Sequence, residues 1–294
     1  MTALLNAQLT LRDIEVLVDV YKYRYLSVSQ IRQLHFPSKR TAWKRLQALT
    51  TLKYLKAFTA PSIPERIYYL DQRGAEIVAD DLQVGFDDLA WDRSQRSPKD
   101  YYFLRHFLAI NDFRINLTLA CKTSELTLLG FIPEYVGERT AQGYVKKYLR
   151  DKVCDIEDTK RQISHTPDAA FALGKDGKAA LFFVEIDRGV ETISKPEEGF
   201  LKSIVFYLNY WTSGQFNKYA KDFGNADFQT FRTLVVTNSP RRLGNMREAV
   251  TKYLFKDNHI KRFFWGATEV HQDTIFQPIW QSLDSTDDTI YQIG

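Results

Sequence analysis

The chain has 294 residues, 44% of them hydrophobic and 14% aromatic, with a formal net charge of +4, enough for one large domain or two smaller ones. No apolar run approaches the ~18 residues of a membrane helix, and the N-terminus MTALLNAQLTLRD lacks both a basic n-region and a signal-peptide core, so no membrane and a cytoplasmic setting are expected. The only cysteines, Cys121 and Cys154, form no CxxC or Cys/His grouping, which argues against a disulfide framework and a structural zinc.

The charge is uneven. Residues 1–75 carry twelve Lys/Arg against five Asp/Glu, a net +7 that leaves about −3 for the remainder. A basic module joined to a neutral or acidic one favours a polyanionic partner for the first. Within it, Thr10 is a candidate cap for a helix from Leu11, with Leu11, Ile14, Val18 and Tyr21, and Leu17 beside them, as the inward stripe. Ser27 or Ser29 starts a short second helix with Ile31 and Leu34 inward, ended at His35-Phe36-Pro37 because a residue before proline leaves the helical region. Ser38 caps a third helix with Ala42, Leu46 and Leu49 inward. Strands are expected at Tyr54–Phe58 and Arg66–Leu70, with Thr59–Pro64 as a wing between them, before an amphipathic stretch that Gly74 interrupts and that runs through Ile77 to Leu82.

Three helices, a hairpin and another helix is the winged helix-turn-helix order. Between Ser38 and Lys56 there are six Lys/Arg and no acid. Lys39, Arg40, Trp43, Lys44, Arg45 and Gln47 therefore form the candidate contact set for double-stranded DNA. Lysine and arginine neutralise phosphates, and Arg or Gln can read base edges. Trp43 fits equally as a core residue or a dimer contact. The alternative is a solvated basic helix in a protein-interaction module without DNA binding.

The chain turns acidic from Glu76 to Asp100, and Ser94–Pro98 reads as linker, which places a boundary near 95–100 between a first domain, 1–95, and a second, 100–294. Tyr101–Lys122 has a helical apolar pattern through Phe103, Phe107, Ile110, Phe113 and Leu117, with Asn111 and Asp112 as ordinary polar positions or partners of Arg105 and Arg114. A mixed α/β pattern follows. Strands are expected at Leu126–Glu134, Ile163–Leu173, Ala179–Asp187, Thr233–Thr237 and Arg262–Trp265, and helices at Lys195–Trp211 and Pro240–Phe255. Lys152–Lys160 reads as a charged loop or edge, and Gly174–Gly177 as a hairpin turn. Glu185 and Asp187, two apart on a strand, project to one face near Asp168 on its hairpin partner. Three such carboxylates suit a hard cation such as Mg²⁺ or Mn²⁺, which can activate water beside a scissile phosphate. The five histidines are scattered and no GxxxxGK[ST] is present, so neither a zinc or Ser–His–Asp site nor nucleotide hydrolysis is indicated.

Pro167-Asp168 followed by Glu185-Ile-Asp187 resembles the PD-(D/E)XK nuclease signature. The whole chain resembles the replication-relaxation family of plasmids and other mobile elements. The carrying residues are Ile67–Leu70 before Gly74, His106–Asp112, Thr166–Phe171, Phe183–Glu191, Lys202 to Tyr207, and Leu234–Thr237 before Arg241/Arg242. The resemblance implies an α+β protein: an N-terminal winged helix, then an α/β nuclease-like domain with a central mixed sheet. It also implies a role in plasmid replication, mobilisation or their regulation, with other replication or mobilisation proteins as partners. The nuclease pattern ends in lysine where this chain has Asp187; Lys202 is the candidate substitute, Arg188 the alternative, and Glu134 a further carboxylate. Asp168, Glu185, Asp187 and Lys202 are thus the candidate catalytic set of a metal-dependent endonuclease, with the first three as metal ligands. In the competing reading they are a salt-bridged remnant with no cofactor. Winged helices often pair, which admits a homodimer.

Overall fold

The computed structural model describes residues 9–61, 63–89, 91, 101–139, 145–156, 158–193, 195, 198–254 and 260–294. The protein is α+β and divides into two compact units, 1–115 and 116–294. The linker expected at 95–100 lies outside the described residues.

In the first unit the helix starts are set by local hydrogen bonds. Helix α1, Leu11–Tyr23, opens on a capping box in which the Asp13 amide donates to the Thr10 hydroxyl while the Thr10 amide donates to the Asp13 carboxylate at 2.6 Å. Strand β1, Leu26–Ser27, leads into α2, Val28–His35, through a second box between Ser27 and Gln30. Phe36, extended at ψ 142° before Pro37, ends α2. Ser38 then caps α3, Lys39–Thr51, whose inward face is Ala42, Leu46 and Leu49, all fully buried.

Strands β2, Leu55–Ala60, and β3, Ile63–Leu70, form an antiparallel hairpin, and β1 pairs with the far side of β3. The hairpin is longer than its turn-rich sequence suggests: Ala60 pairs with Ile63, so only residues 61–62 lie between the strands. Ala60 is held there by packing with Ile67, Leu104 and Leu108. Pro64 is tolerated because β1 meets β3 only at Ile67 and Tyr68, so the missing amide hydrogen interrupts no recorded pairing. Helix α4, Gln72–Asp81, follows, and at Gly74 a Cβ would stand 2.2 Å from the Tyr54 carbonyl oxygen. Only glycine fits that approach.

The buried stripe of α1 differs from expectation. Leu11 is 82% exposed, and the inward face is Asp13, Val16, Leu17, Val18, Val20 and Tyr23. Helix α5, Tyr101–Cys121, contributes its residues 101–115 to the first unit. There Asn111 is buried and donates to the carbonyls of Tyr23 and Tyr25, and the exposed Asp112 accepts from Gln30, so both bond to other elements of the unit rather than to Arg105 and Arg114.

The second unit is built on a seven-stranded mixed sheet. Its strands are β4 (Thr127–Pro133), β9 (Ala169–Lys175), β10 (Lys178–Ile186), β11 (Phe231–Val236), β12 (Phe264–Ala267), β13 (Trp280–Ser282) and β14 (Ile290–Tyr291), neighbours in that order. β10, β11 and β12 are parallel and the outer pairings antiparallel. Two small hairpins stand apart from it: β5 (Gly137–Arg139) with β6 (Val145–Lys147), and β7 (Asp151–Cys154) with β8 (Gln162–His165). The run expected as one strand over 163–173 is thus divided between β8 and β9, and part of the charged 152–160 segment is strand.

Helices α6 (Gly199–Ser213) and α7 (Pro240–Tyr253) join one face of the sheet in a single core with Phe183, Phe231 and Phe264. A short helix α8, Ile260–Phe263, displaces the last expected strand to 264–267. The expected end of α7 at Phe255 lies outside the described residues. No described helix is long and apolar enough to cross a membrane.

Candidate functional site

Each unit carries one set of the residues singled out from sequence. In the first, Arg40, Trp43, Lys44 and Gln47 all lie on the exposed side of α3, opposite Ala42, Leu46 and Leu49. Trp43 is 47% exposed, which removes it from the core. Arg40, Lys44 and Gln47 follow the i, i+4, i+7 spacing of one helical face.

Lys39 and Arg45 behave differently. The Lys39 ammonium meets Glu65 of β3 at 2.5 Å, and the same carboxylate accepts from the Ser29 hydroxyl and amide at 2.6 and 3.0 Å. Burial pushes the Glu65 carboxyl up, but Lys39 and Ser29 together hold it below the ordinary carboxylate range. Arg45 turns inward to the buried Asp13 with two parallel bonds of 2.6 and 2.5 Å. Burial raises the Asp13 carboxyl, yet the hydrogen bonds from Arg45 and Thr10 win and depress it. Arg45 is therefore tied to α1, a pairing that helical periodicity does not reveal. A pocket of about 400 Å³ lies between α3 and β3, lined by Lys39, Arg40, Trp43, Pro64, Glu65 and Arg66 together with Val28.

In the second unit the sheet brings Asp168, Glu185 and Asp187 within electrostatic reach of Glu191. Glu191 is pushed up by partial desolvation and then by the charges of Glu185, Asp168 and Asp187. The strand geometry explains the places of Asp168, Glu185 and Asp187. Asp168 precedes β9 and its amide donates to the Val184 carbonyl, while its carboxylate accepts from the Ile186 amide at 2.7 Å. Asp187 follows β10, continuing the parallel pairing through its amide to the Val236 carbonyl. Glu191 was not foreseen from sequence.

These acids are already bonded within the protein. Asp187 is 7% exposed and receives Arg242 of α7 through two bonds of 2.8 Å, plus the Thr237 hydroxyl at 2.7 Å. Glu185 accepts from His165 at 2.7 Å and from the Tyr207 hydroxyl through the same oxygen. Burial depresses the His165 imidazole, but Glu185 overrides it and the net shift is upward; burial and then Glu185 raise the Tyr207 phenol well above its usual range. Glu134 is buried with one carboxylate oxygen on Lys147 at 2.6 Å and the other without a partner among the described residues. Lys202 is half-buried on α6 and makes no ion pair among the described residues. Arg188 offers its carbonyl to Asn238.

A divalent metal does not fit the residues so arranged. No group of three or more His, Cys, Asp or Glu among the described residues is placed to hold an ion. Both oxygens of Asp187 face a guanidinium, which supplies the positive charge a cation would. Of these partners, Arg242 had a sequence signal, its place in the first turn of a helix after a buried strand. His165 and Tyr207 had none that periodicity could show.

The replication-relaxation family model matches residues 17–225. No curated protein and no solved structure matches the chain. The match runs from α1 of the basic unit through both acid-bearing strands to the end of the segment after α6, and a chain matched over that span belongs to the replication-relaxation family.

Proposed function

We propose that residues 10–82 act as a winged helix-turn-helix that binds duplex DNA in the replication or mobilisation of a plasmid or other mobile element. Helix α3 enters the major groove and the β2–β3 hairpin is the wing. The observation that carries this reading is the exposed, acid-free face Arg40, Trp43, Lys44 and Gln47, in the position of a recognition helix. Arg40 and Lys44 neutralise phosphates, and Arg40 or Gln47 reads base edges. Family membership supports the setting. Fluorescence anisotropy on duplexes from the element's own intergenic DNA tests it. The Arg40→Ala/Lys44→Ala variant is expected to bind at least tenfold more weakly, and equal binding by this variant and the wild type refutes the assignment.

We read the second unit as a nuclease-like sheet used as a DNA-contacting or assembly surface. The support is the ion pair that engages Asp187 with Arg242 in place of a metal. Supercoiled plasmid incubated with Mg²⁺ or Mn²⁺ is expected to stay intact. Cleavage by the wild type that Asp168→Ala abolishes would overturn this part and restore the endonuclease reading.

A further inference from the structure

Within the exposed face of α3, Trp43 is the member whose chemistry neither charge neutralisation nor base-edge reading uses. It stands 47% exposed, although an indole contributes most to a fold when its large apolar surface is buried. Lys39 and Arg40, four and three residues earlier, are its neighbours on the helix surface. Together with Pro64, Glu65 and Arg66 of β3 they line the pocket of about 400 Å³ between the two elements, with the buried Val28 as a further lining residue.

Specific bonds hold this cleft in shape. β1 pairs with β3 at Ile67 and Tyr68, and the stretch of β3 before Ile67 is joined to the helices by a side chain instead. Glu65 makes that join, since its carboxylate accepts from the Ser29 amide and hydroxyl at the start of α2 and from Lys39 at the start of α3. Arg66 is bonded in turn to the buried Tyr68. Walls fixed in this way lose little freedom when a ligand arrives. Of the four charged lining residues, Lys39, Arg40 and Arg66 are cations and Glu65 is an anion, which leaves a net of two positive charges.

An intact duplex leaves the indole without a matching surface. Its bases are stacked on one another and present only their edges in the grooves, whereas an indole offers a flat face. A base out of the stack has an open π-face for an aromatic side chain. The pocket falls in the ~300–1,000 Å³ range of small-ligand sites, which suits one nucleotide and excludes a stacked duplex. The guanidiniums of Arg40 and Arg66 suit the phosphate of that nucleotide. We propose that the α3–β3 cleft binds one unpaired nucleotide of DNA, its base on Trp43 and its phosphate on Arg40 and Arg66. This rests on the reading of α3 as a DNA-binding helix and adds to it a preference for duplexes that carry an extrahelical base.

Fluorescence anisotropy of the full chain tests this with a fully paired duplex and the same duplex carrying one extra, unpaired adenine at its centre. The wild type is expected to bind the bulged duplex about fivefold more tightly or better, as one base–aromatic stack allows. Trp43→Ala should bring the two affinities together, and Trp43→Phe, which keeps a ring, should retain part of the difference. Lys44→Ala, outside the cleft, should weaken both duplexes by the same factor. With 2-aminopurine as the unpaired base, stacking should quench its fluorescence on the wild type and not on Trp43→Ala. Equal binding of the two duplexes by the wild type, or a preference that Trp43→Ala leaves unchanged, overturns this proposal and leaves duplex binding standing. Binding of neither duplex overturns the DNA-binding reading and this proposal together. Displacement of the bulged duplex by an equimolar amount of free dAMP would assign the cleft to a free nucleotide and overturn the proposal as well.

Discussion

Lys44 and Arg45 are neighbours on one basic helix and have opposite roles. One step of ~100° along α3 takes the chain from an exposed ammonium to a guanidinium closed on a carboxylate that is 1% exposed. Asp13 has a double duty, since it also completes the capping box of α1. Removing Arg45 leaves that carboxylate in the interior without its cation, a change that costs about 2 kcal/mol after allowing for Arg45 being partly solvated. Arg45→Ala is therefore expected to lower stability by that order in urea denaturation while leaving DNA affinity near the wild-type value. A DNA defect as large as that of Arg40→Ala/Lys44→Ala, in a variant that remains folded, would return Arg45 to the interface. The sign with pH follows from the depressed Asp13 carboxyl. Its contribution is present above the ordinary aspartate range and is lost as pH falls through the lower folded value. Sequence periodicity shows which face of α3 holds Ala42, Leu46 and Leu49. It cannot show a partner 32 residues earlier, and the same pairing explains why the stripe of α1 is turned away from Leu11.

At the level of elements, strands were legible where composition and period agreed. The apolar run that becomes β10, the buried β11 and the Gly174–Gly177 turn all appear close to where the residues place them. The placement of Asp168, Glu185 and Asp187 toward one end of the sheet also follows from that hairpin. What decides their chemistry comes from other elements: His165 from β8, Tyr207 from α6 and Arg242 from α7. A pairing across elements leaves no local mark in the sequence. The His165–Glu185 contact has a testable consequence. Because the folded imidazole titrates above the ordinary histidine range, its contribution is full below that range and is lost as pH rises through the folded value. The urea midpoint of the full chain is expected to fall over that alkaline interval, and His165→Gln, which still offers Glu185 a donor, should flatten the fall. An unchanged pH profile in the variant would mean that the pair contributes nothing to stability.

For the molecule as a whole, charge distribution predicts more contacts than the structure makes available. Residues 1–75 have a net +7, and six Lys/Arg fall between Ser38 and Lys56. If about six phosphates were neutralised, the logarithm of affinity would fall with the logarithm of salt at a slope near −5. Ion pairing lowers that number. Arg45 is given to Asp13, Lys56 lies 3.2 Å from Asp71, and Glu65 cancels one charge where Lys39, Arg40 and Arg66 gather around the α3–β3 pocket. With Lys44 added, that face has a net of about three positive charges, which corresponds to a slope of roughly −2.7. Anisotropy titrations of the full chain between about 50 and 200 mM salt should give that shallower value, the range in which phosphate contacts dominate the change. Arg40→Ala/Lys44→Ala should reduce the slope by about 1.8, two contacts at ~0.9 each. A wild-type slope near −5 would show that DNA meets cations beyond α3 and its hairpin. A slope near zero would exclude phosphate contact altogether and point to an acidic protein as the partner of the basic helix.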